Sequence, residues 1–196
     1  VQRRGKYART TQETQVEIEI ALDGKGEFQG SSGIPFLDHM LALFARHGLL
    51  DLELKAQGDI QVDFHHLVED IGICLGEALS QAWGNKEGMK RYGFTILPMD
   101  EVLVLLSMDI SNRAYLYFNV PLKNDKKIGT FDLEIAKEFF RSLVAHAGIT
   151  LHIHLFWGEN FHHVLEAIFK ALGKALDEAT SIDSRIKGVL STKGQL

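Results

Sequence analysis

Apolar and polar side chains alternate from Val16 to Leu22, where Val16, Ile18, Ile20 and Leu22 are interleaved with Glu17, Glu19 and Ala21. That period of two is the pattern of a half-buried strand, and it runs into Asp23-Gly24-Lys25-Gly26, read as the turn of a first hairpin. Gly33-Ile34-Pro35 then breaks the chain. Beyond it Leu37, Met40, Leu41 and Phe44 recur at helical spacing and predict a helix over Phe36 to His47, stopped by Gly48. Period two returns over Leu50 to Ala56, and a second helix is expected from about His65 to Trp83, closed by Gly84-Asn85. In the second half, Val102 to Met108 and Ala114 to Val120 read as paired strands before a polar loop at Lys123 to Lys127. A helix over Leu133 to His146, a strand over Thr150 to Phe156 and a helix over His162 to Ala179 complete the pattern.

The order of elements repeats. The fifteen residues from His65 align without gaps on the fifteen from His162, an offset of 97 residues, and eight positions are identical, which is enough to read two related halves. Aligning Gly48 with Gly148 pairs the preceding helices as well. Residues 1–88 form the first α+β repeat and 89–196 the second, which ends in a tail. Two helices per half suggest a helical layer packed on antiparallel sheets, an α+β architecture rather than a doubly wound parallel one. No Gly-x-Gly-x-x-Gly or Walker loop is present.

Composition adds exclusions. With 196 residues, 45% hydrophobic and 24% charged, the chain has ordinary globular usage and can bury a sizeable core. A net charge of -5 gives no basic footprint, so nucleic acid is not expected as a partner and any anion site must be local. The longest apolar runs, such as Val102 to Leu106, are too short to span a bilayer, and Arg3 and Arg4 lead into no apolar signal-like stretch. The one cysteine, Cys74, sits in an apolar run as a structural thiol, which suits a reducing, cytoplasmic compartment.

The chemistry concentrates in the two aligned helices. Residues four apart share a helix face, so His65 with Glu69, and His162 with Glu166, can each grip one cation. His66 is turned about 100° from His65, so each His-His pair should serve two metals. One site would then combine His65 and Glu69 with His163, the other His162 and Glu166 with His66. A lone His-x-x-x-Glu is usually a surface pair, but two copies in matched settings point to metal. His39 offers a third imidazole. Its counterpart in the second repeat falls near Glu138 or Phe139, which makes Glu138 the natural further ligand of the other site. Imidazole and carboxylate ligation without thiolate suits Mn, Fe, Co, Ni or Zn in an open site. Asp38, Asp63 and Asp70 flank these histidines, either orienting imidazoles or serving as caps and solvated surface. His47 and His146 precede helix-ending glycines, and His152 and His154 line a strand face.

At these residues the chain resembles the imidazoleglycerol-phosphate dehydratase family. The likeness runs from about Arg9 to Leu196 through Arg9-Thr-Thr-Gln-Glu13-Thr14, Gly33-Ile-Pro-Phe-Leu-Asp-His39, Asp63-Phe-His65-His66-Leu-Val-Glu69-Asp70, Arg91-Tyr-Gly, Pro98-Met-Asp100-Glu101, Asn160-x-His162-His163-x-x-Glu166 and Ser191-Thr192-Lys193-Gly. The resemblance implies a fold of two pseudo-symmetric repeats, like domain 2 of ribosomal protein S5, with a four-helix layer between two four-stranded sheets. It implies dehydration of imidazole glycerol phosphate to imidazole acetol phosphate in histidine biosynthesis, and 24-subunit shells built from trimers with di-manganese sites at subunit interfaces. The implied ligands are His39, His65, His66, Glu69, Glu138, His162, His163 and Glu166, drawn from more than one chain. Two departures stand out: Leu67 where threonine is common, and Glu138 where many members carry a histidine.

Such a reaction breaks a C-H bond of the glycerol chain and expels hydroxide from the neighbouring carbon, with the ring holding charge as an imidazolate at two Mn2+ ions. The resemblance places Glu13, Glu166 and His39 at the catalytic centre, with Glu13 or Glu166 taking the proton. It places Glu13, His47, Arg91, Arg113, Lys170, Ser191, Thr192 and Lys193 around the substrate, Arg91, Arg113 and Lys193 meeting the phosphate. A two-metal phosphate-ester hydrolase and a metal-assembled storage shell are the rival readings.

Overall fold

The computed structural model describes residues 3–122 and 127–196; the polar loop expected at Lys123 to Lys127 falls largely outside them. The chain runs β1 (Arg4–Thr10), β2 (Thr14–Ala21), β3 (Phe28–Ser31), α1 (Pro35–Gly48), β4 (Asp51–Gly58) and α2 (His65–Trp83). It then repeats that order as β5 (Tyr92–Met99), β6 (Val102–Ile110), β7 (Tyr115–Asn119), α3 (Leu133–Ala147), β10 (Ile149–Trp157) and α4 (Phe161–Thr180). A short ribbon, β8 (Lys127–Ile128) with β9 (Phe131–Asp132), precedes α3. The first sheet has the order β1-β2-β4-β3 and the second β5-β6-β10-β7, the same topology twice.

Two strand pairings differ from those read in the sequence. The first hairpin is β1–β2, closed at Thr11 to Glu13; the turn at Asp23 to Gly26 instead carries the chain past β4, so that β3 pairs with β4 in parallel. Asp51 holds that turn in place, its carboxylate accepting from the Lys25 and Glu27 amides at 2.7 and 3.2 Å. Nor do β6 and β7 pair with each other. The later strand β10 inserts between them, antiparallel to β6 and parallel to β7. Local alternation reports that a strand exists and which face is buried, but a partner that arrives 40 residues later leaves no mark on it. The edge strands β1, β3 and β5 escaped the pattern because they bury few side chains.

Alternation in β2 and β6 does what it predicts: Val16, Ile18 and Ile20, and Val102, Val104, Leu106, Met108 and Ile110, are buried towards the helices. All four helices lie between the sheets. α1 and α2 pack on the first sheet and α3 and α4 on the second, and the two pairs meet crosswise, α2 on α3 and α1 on α4. One continuous apolar core spans both halves and includes Cys74, whose thiol burial pushes up to about 12.

Glycine sets how closely the helices meet. A Cβ at Gly76 of α2 would stand 2.8 Å from the Leu143 carbonyl oxygen of α3, and one at Gly173 of α4 would stand 2.5 Å from the Phe44 oxygen of α1. Gly76 and Gly173 are equivalent at the 97-residue offset, so the duplicated sequence carries the contact twice. Gly48 belongs to the same seam, with Gly173 beside it. It therefore stays helical, and the left-handed residue that ends α1 is Leu49, φ 51°, whereas α3 ends as the sequence suggests on Gly148, φ 66°. Replacing Gly173 by valine should cost about 1–3 kcal/mol by overpacking. The measurement is the urea midpoint of the metal-free protein; an unchanged midpoint would mean that α1 and α4 are not in obligatory contact.

Candidate metal and substrate site

The crosswise helix packing decides which residues meet. α1 lies on α4, so His39 reaches His162 and Glu166: His39 Nε2 and His162 Nε2 lie 2.9 and 3.0 Å from the same Glu166 oxygen. α3 lies on α2, so Glu138 joins His65 and Glu69. In both groups the three ligand atoms fall within 4.8 Å of one another, a separation one cation can span. The equivalence of Glu138 with His39 thus holds in space, and one group has two imidazoles and one carboxylate, the other two carboxylates and one imidazole. Nitrogen and oxygen donors without sulfur fit a divalent cation of the manganese type.

The two groups are held differently. Glu166 is 8% exposed, and burial alone would raise its pKa; hydrogen bonds from Lys170 (2.7 Å), His39 and His162 outweigh that and hold the carboxyl at about 2. In the other group His65 and Glu69 are looser, at 4.0 Å, and Glu138 accepts from the Arg141 guanidinium at 2.9 Å. Lys170, expected to bind substrate, is therefore engaged with Glu166. His47 lies nearby at the end of α1, its pKa lowered by burial and by Lys170 and Lys174.

The second histidine of each pair points elsewhere. His66 donates from Nδ1 to Asp59 at 3.0 Å, with Glu13 at 3.5 Å, and His163 donates from Nδ1 to Glu101 at 2.8 Å. Within one chain, neither joins the opposite His-x-x-x-Glu group. Each carboxylate fixes the ring and leaves Nε2 as the nitrogen a metal can take, the arrangement by which imidazole ligands are usually oriented. Asp59 and Glu101 perform this task, whereas the three aspartates considered from sequence do other work. Asp63 accepts from the His65 amide, Asp38 from Ser31 and Ser32, and Asp70 from Arg9. Glu101 belongs to the Pro98-Met-Asp100-Glu101 motif, but only the β5–β6 turn brings it to His163; Asp59 carries no signal in the sequence. Asn160 caps α4 by accepting from the His162 and His163 amides, which fixes that end of the helix.

The remaining candidates gather in a cavity of about 1450 Å³ lined by Arg91, Arg113, Ser191, Thr192 and Lys193. Arg91 is its anchor, paired with Asp109 at 2.6 and 2.9 Å and donating to the Leu190 carbonyl at 2.8 Å, so it holds the tail as well as supplying charge. Arg91 has a left-handed φ of 72°, and its amide bonds to the Ala179 oxygen at the far end of α4. At 1.5 Å per residue, His163 and Ala179 are separated by roughly 24 Å along the helix. A three-carbon chain joining an imidazole to a phosphate spans far less. Within one chain, the basic cavity and the histidines at the start of α4 therefore cannot hold the two ends of one such molecule.

The hydrogen bond to Glu101 raises the pKa of His163, opposed by desolvation and helped by the charges of Glu101 and Asp100. In the metal-free protein this pair contributes stability that is complete below the ordinary histidine value of about 6.5 and fades as pH rises through the higher folded value. Glu101→Gln should move the His163 pKa down towards the ordinary value, as read from NMR titration of the ring protons. An unmoved pKa would remove Glu101 as the orienting group.

The sequence profile of imidazoleglycerol-phosphate dehydratase matches residues 32–176. An imidazoleglycerol-phosphate dehydratase from Citrifermentans bemidjiense is 55% identical over 188 residues, 96% of each chain. One from Syntrophus aciditrophicus is 52% identical over 196 residues, 100% of both chains. The crystal structure of the enzyme from Staphylococcus aureus superposes with a TM-score of 0.82 at 43% identity, covering 92% of this chain and 99% of that one. The Pyrococcus furiosus enzyme, solved in complex with (S)-C348, gives 0.82 at 43% identity over 97% and 100%. By profile, full-length identity and fold together, the chain belongs to the imidazoleglycerol-phosphate dehydratase family.

Proposed function

We propose that the chain dehydrates imidazole glycerol phosphate to imidazole acetol phosphate at a two-manganese site completed by neighbouring copies of itself. One observation carries the composite site: the basic cavity and the group formed by His39, His162 and Glu166 lie at opposite ends of α4, so one substrate engages both only if they come from different chains. Each metal would take a His-x-x-x-Glu group from one chain, with His39 or Glu138, and His66 or His163 from another. The outer face of the second sheet exposes Tyr92, Phe94, Ile96, Tyr115, Tyr117 and Trp157, an apolar surface that assembly would cover, and the family resemblance extends that assembly to a shell of trimers with 24 subunits. Among the described residues no helix is long and apolar enough to cross a membrane, and a cytoplasmic location accords with the buried thiol.

Bound manganese would supply Lewis acidity to the ring nitrogens, so that the substrate imidazole can carry charge as an imidazolate. The chain's own residues do the rest. Arg113 (64% exposed), Lys193, Ser191 and Thr192 bind the phosphate, Arg91 fixes the tail that presents them, and the glycerol chain is thereby aligned. Glu166, buried beside His39 and His162 and paired with Lys170 at 2.7 Å, has its oxygens committed and serves as a ligand with His39. Glu13 is exposed on the β1–β2 turn beside His66 and takes the proton from carbon. The C-H electron pair forms the double bond, the hydroxyl leaves with a proton as water, and the enol becomes the ketone.

Protein loaded with manganese should convert imidazole glycerol phosphate to an enolisable ketone and release no free phosphate. Phosphate release would instead make it a hydrolase, and absence of turnover a storage shell. The composite site has its own test. His163→Ala and Lys193→Ala homo-oligomers should both be inactive, and mixing and reassembling the two should restore part of the turnover, because some interfaces then contain both wild-type halves. No recovery would place the whole site in one chain.

A further inference from the structure

Asp70 is a carboxylate with 6% of its surface exposed, on the face of α2 that packs against β1 and β2. One of its oxygens accepts from Arg9 Nε at 2.7 Å and the other from the Thr14 hydroxyl. With its proton committed to Asp70, the Thr14 oxygen accepts from the Thr11 hydroxyl 3.0 Å away. The Thr11 oxygen in turn accepts from the Glu13 and Thr14 amides at 3.1 and 3.0 Å, and the Thr11 amide donates to the Thr14 carbonyl at 2.9 Å, closing the turn. A continuous path of hydrogen bonds thus joins a buried carboxylate to the backbone of Glu13.

We infer that Asp70 is a positioning residue for Glu13, acting through the Thr14 and Thr11 hydroxyls to lock the β1–β2 turn that carries it. The inference rests on the proton-accepting role proposed for Glu13. An ion pair that only stapled β1 to α2 would need Arg9 alone; the threonine path would add nothing to it.

The second repeat provides the contrast. At the 97-residue offset Asp70 corresponds to Ala167, so α4 has no such anchor. There the turn carboxylate, Glu101, bonds directly to His163 at 2.8 Å and is occupied in orienting that ring. In the first repeat Asp59 takes the equivalent bond to His66, and Glu13 stands off at 3.5 Å. A group that must meet a C-H bond needs a carboxylate less tightly engaged than Glu101 and a main chain that cannot drift; Glu13 meets His66 only at 3.5 Å, and its turn is closed by Thr11 and Thr14.

The test uses the manganese-loaded enzyme with Thr14→Val, Thr14→Ser and Asp70→Asn, each alone and combined with Glu13→Gln. Thr14→Val and Asp70→Asn should lower kcat about tenfold to a hundredfold with KM within about twofold, while Thr14→Ser, which keeps the hydroxyl, retains most of the rate. In the metal-free protein, amide exchange at Glu13 and Thr14 should accelerate in Thr14→Val and not in Thr14→Ser. In the Glu13→Gln background neither Thr14→Val nor Asp70→Asn should reduce kcat further. Additive losses in that background, or unchanged kcat and exchange in Thr14→Val, overturn the inference. Full turnover by Glu13→Gln alone would defeat the role given to Glu13 instead, and the exchange rates would still decide whether Asp70 sets the turn.

Discussion

The crosswise contact between the two repeats, α2 against α3 and α1 against α4, is the constraint on which the candidate site depends. Each repeat alone offers two ligands on one helix, one turn apart. The third ligand of each group comes from the other repeat, and it reaches its partners because Gly76 and Gly173 let the helix backbones approach to a distance no side chain would allow. The same packing buries the apolar faces of all four helices in one core. Folding and ligand assembly are therefore one event: residues 1–88 cannot form either three-ligand group by themselves.

Pseudo-symmetry gives the site its plan, and departures from it give the parts different work. Exchange of an imidazole for a carboxylate, His39 against Glu138, makes one group richer in negative charge. The structure answers on both sides, with Arg141 beside Glu138 and Lys170 beside Glu166. A second departure separates the hairpin turns. Both bring a carboxylate to the outer histidine of the pair, yet one carboxylate is bonded to its histidine and the other is displaced from it by Asp59. Duplication alone would yield two equal sites; elimination needs one group to bind and another to accept a proton.

Arg91 shows how the far end of the molecule is tied to this plan. Its backbone closes on the last turn of α4 and its guanidinium on Asp109 and the Leu190 carbonyl, so one residue connects helix, sheet and tail. A left-handed backbone at a non-glycine residue persists only where several bonds fix it, and here they do. The cavity is in this way preformed, although His162 and His163 lie a helix length away at the start of α4.

Much of this is legible in the amino-acid sequence itself. Helical periodicity located α1 to α4 within a residue or two at each end, because a face of apolar side chains every three to four residues is a local property. The duplicated His-His-x-x-Glu was legible for the same reason: helix geometry alone puts His65 over Glu69, and His162 over Glu166, and turns His66 and His163 away. Strand pairing was not legible, since the parallel neighbours of β4 and β10 are chosen by segments distant in sequence. Nor was the task of Asp59 or Asp70, because a carboxylate in a loop or on a helix looks the same whether it faces water, a ring or a threonine. What the sequence determined was the inventory of candidate ligands and the symmetry relating them; which of those groups meet within a chain, and that the basic cavity lies at the far end of α4 from His162 and His163, was decided by the packing of one repeat on the other, which acts between residues too far apart in sequence to constrain one another locally.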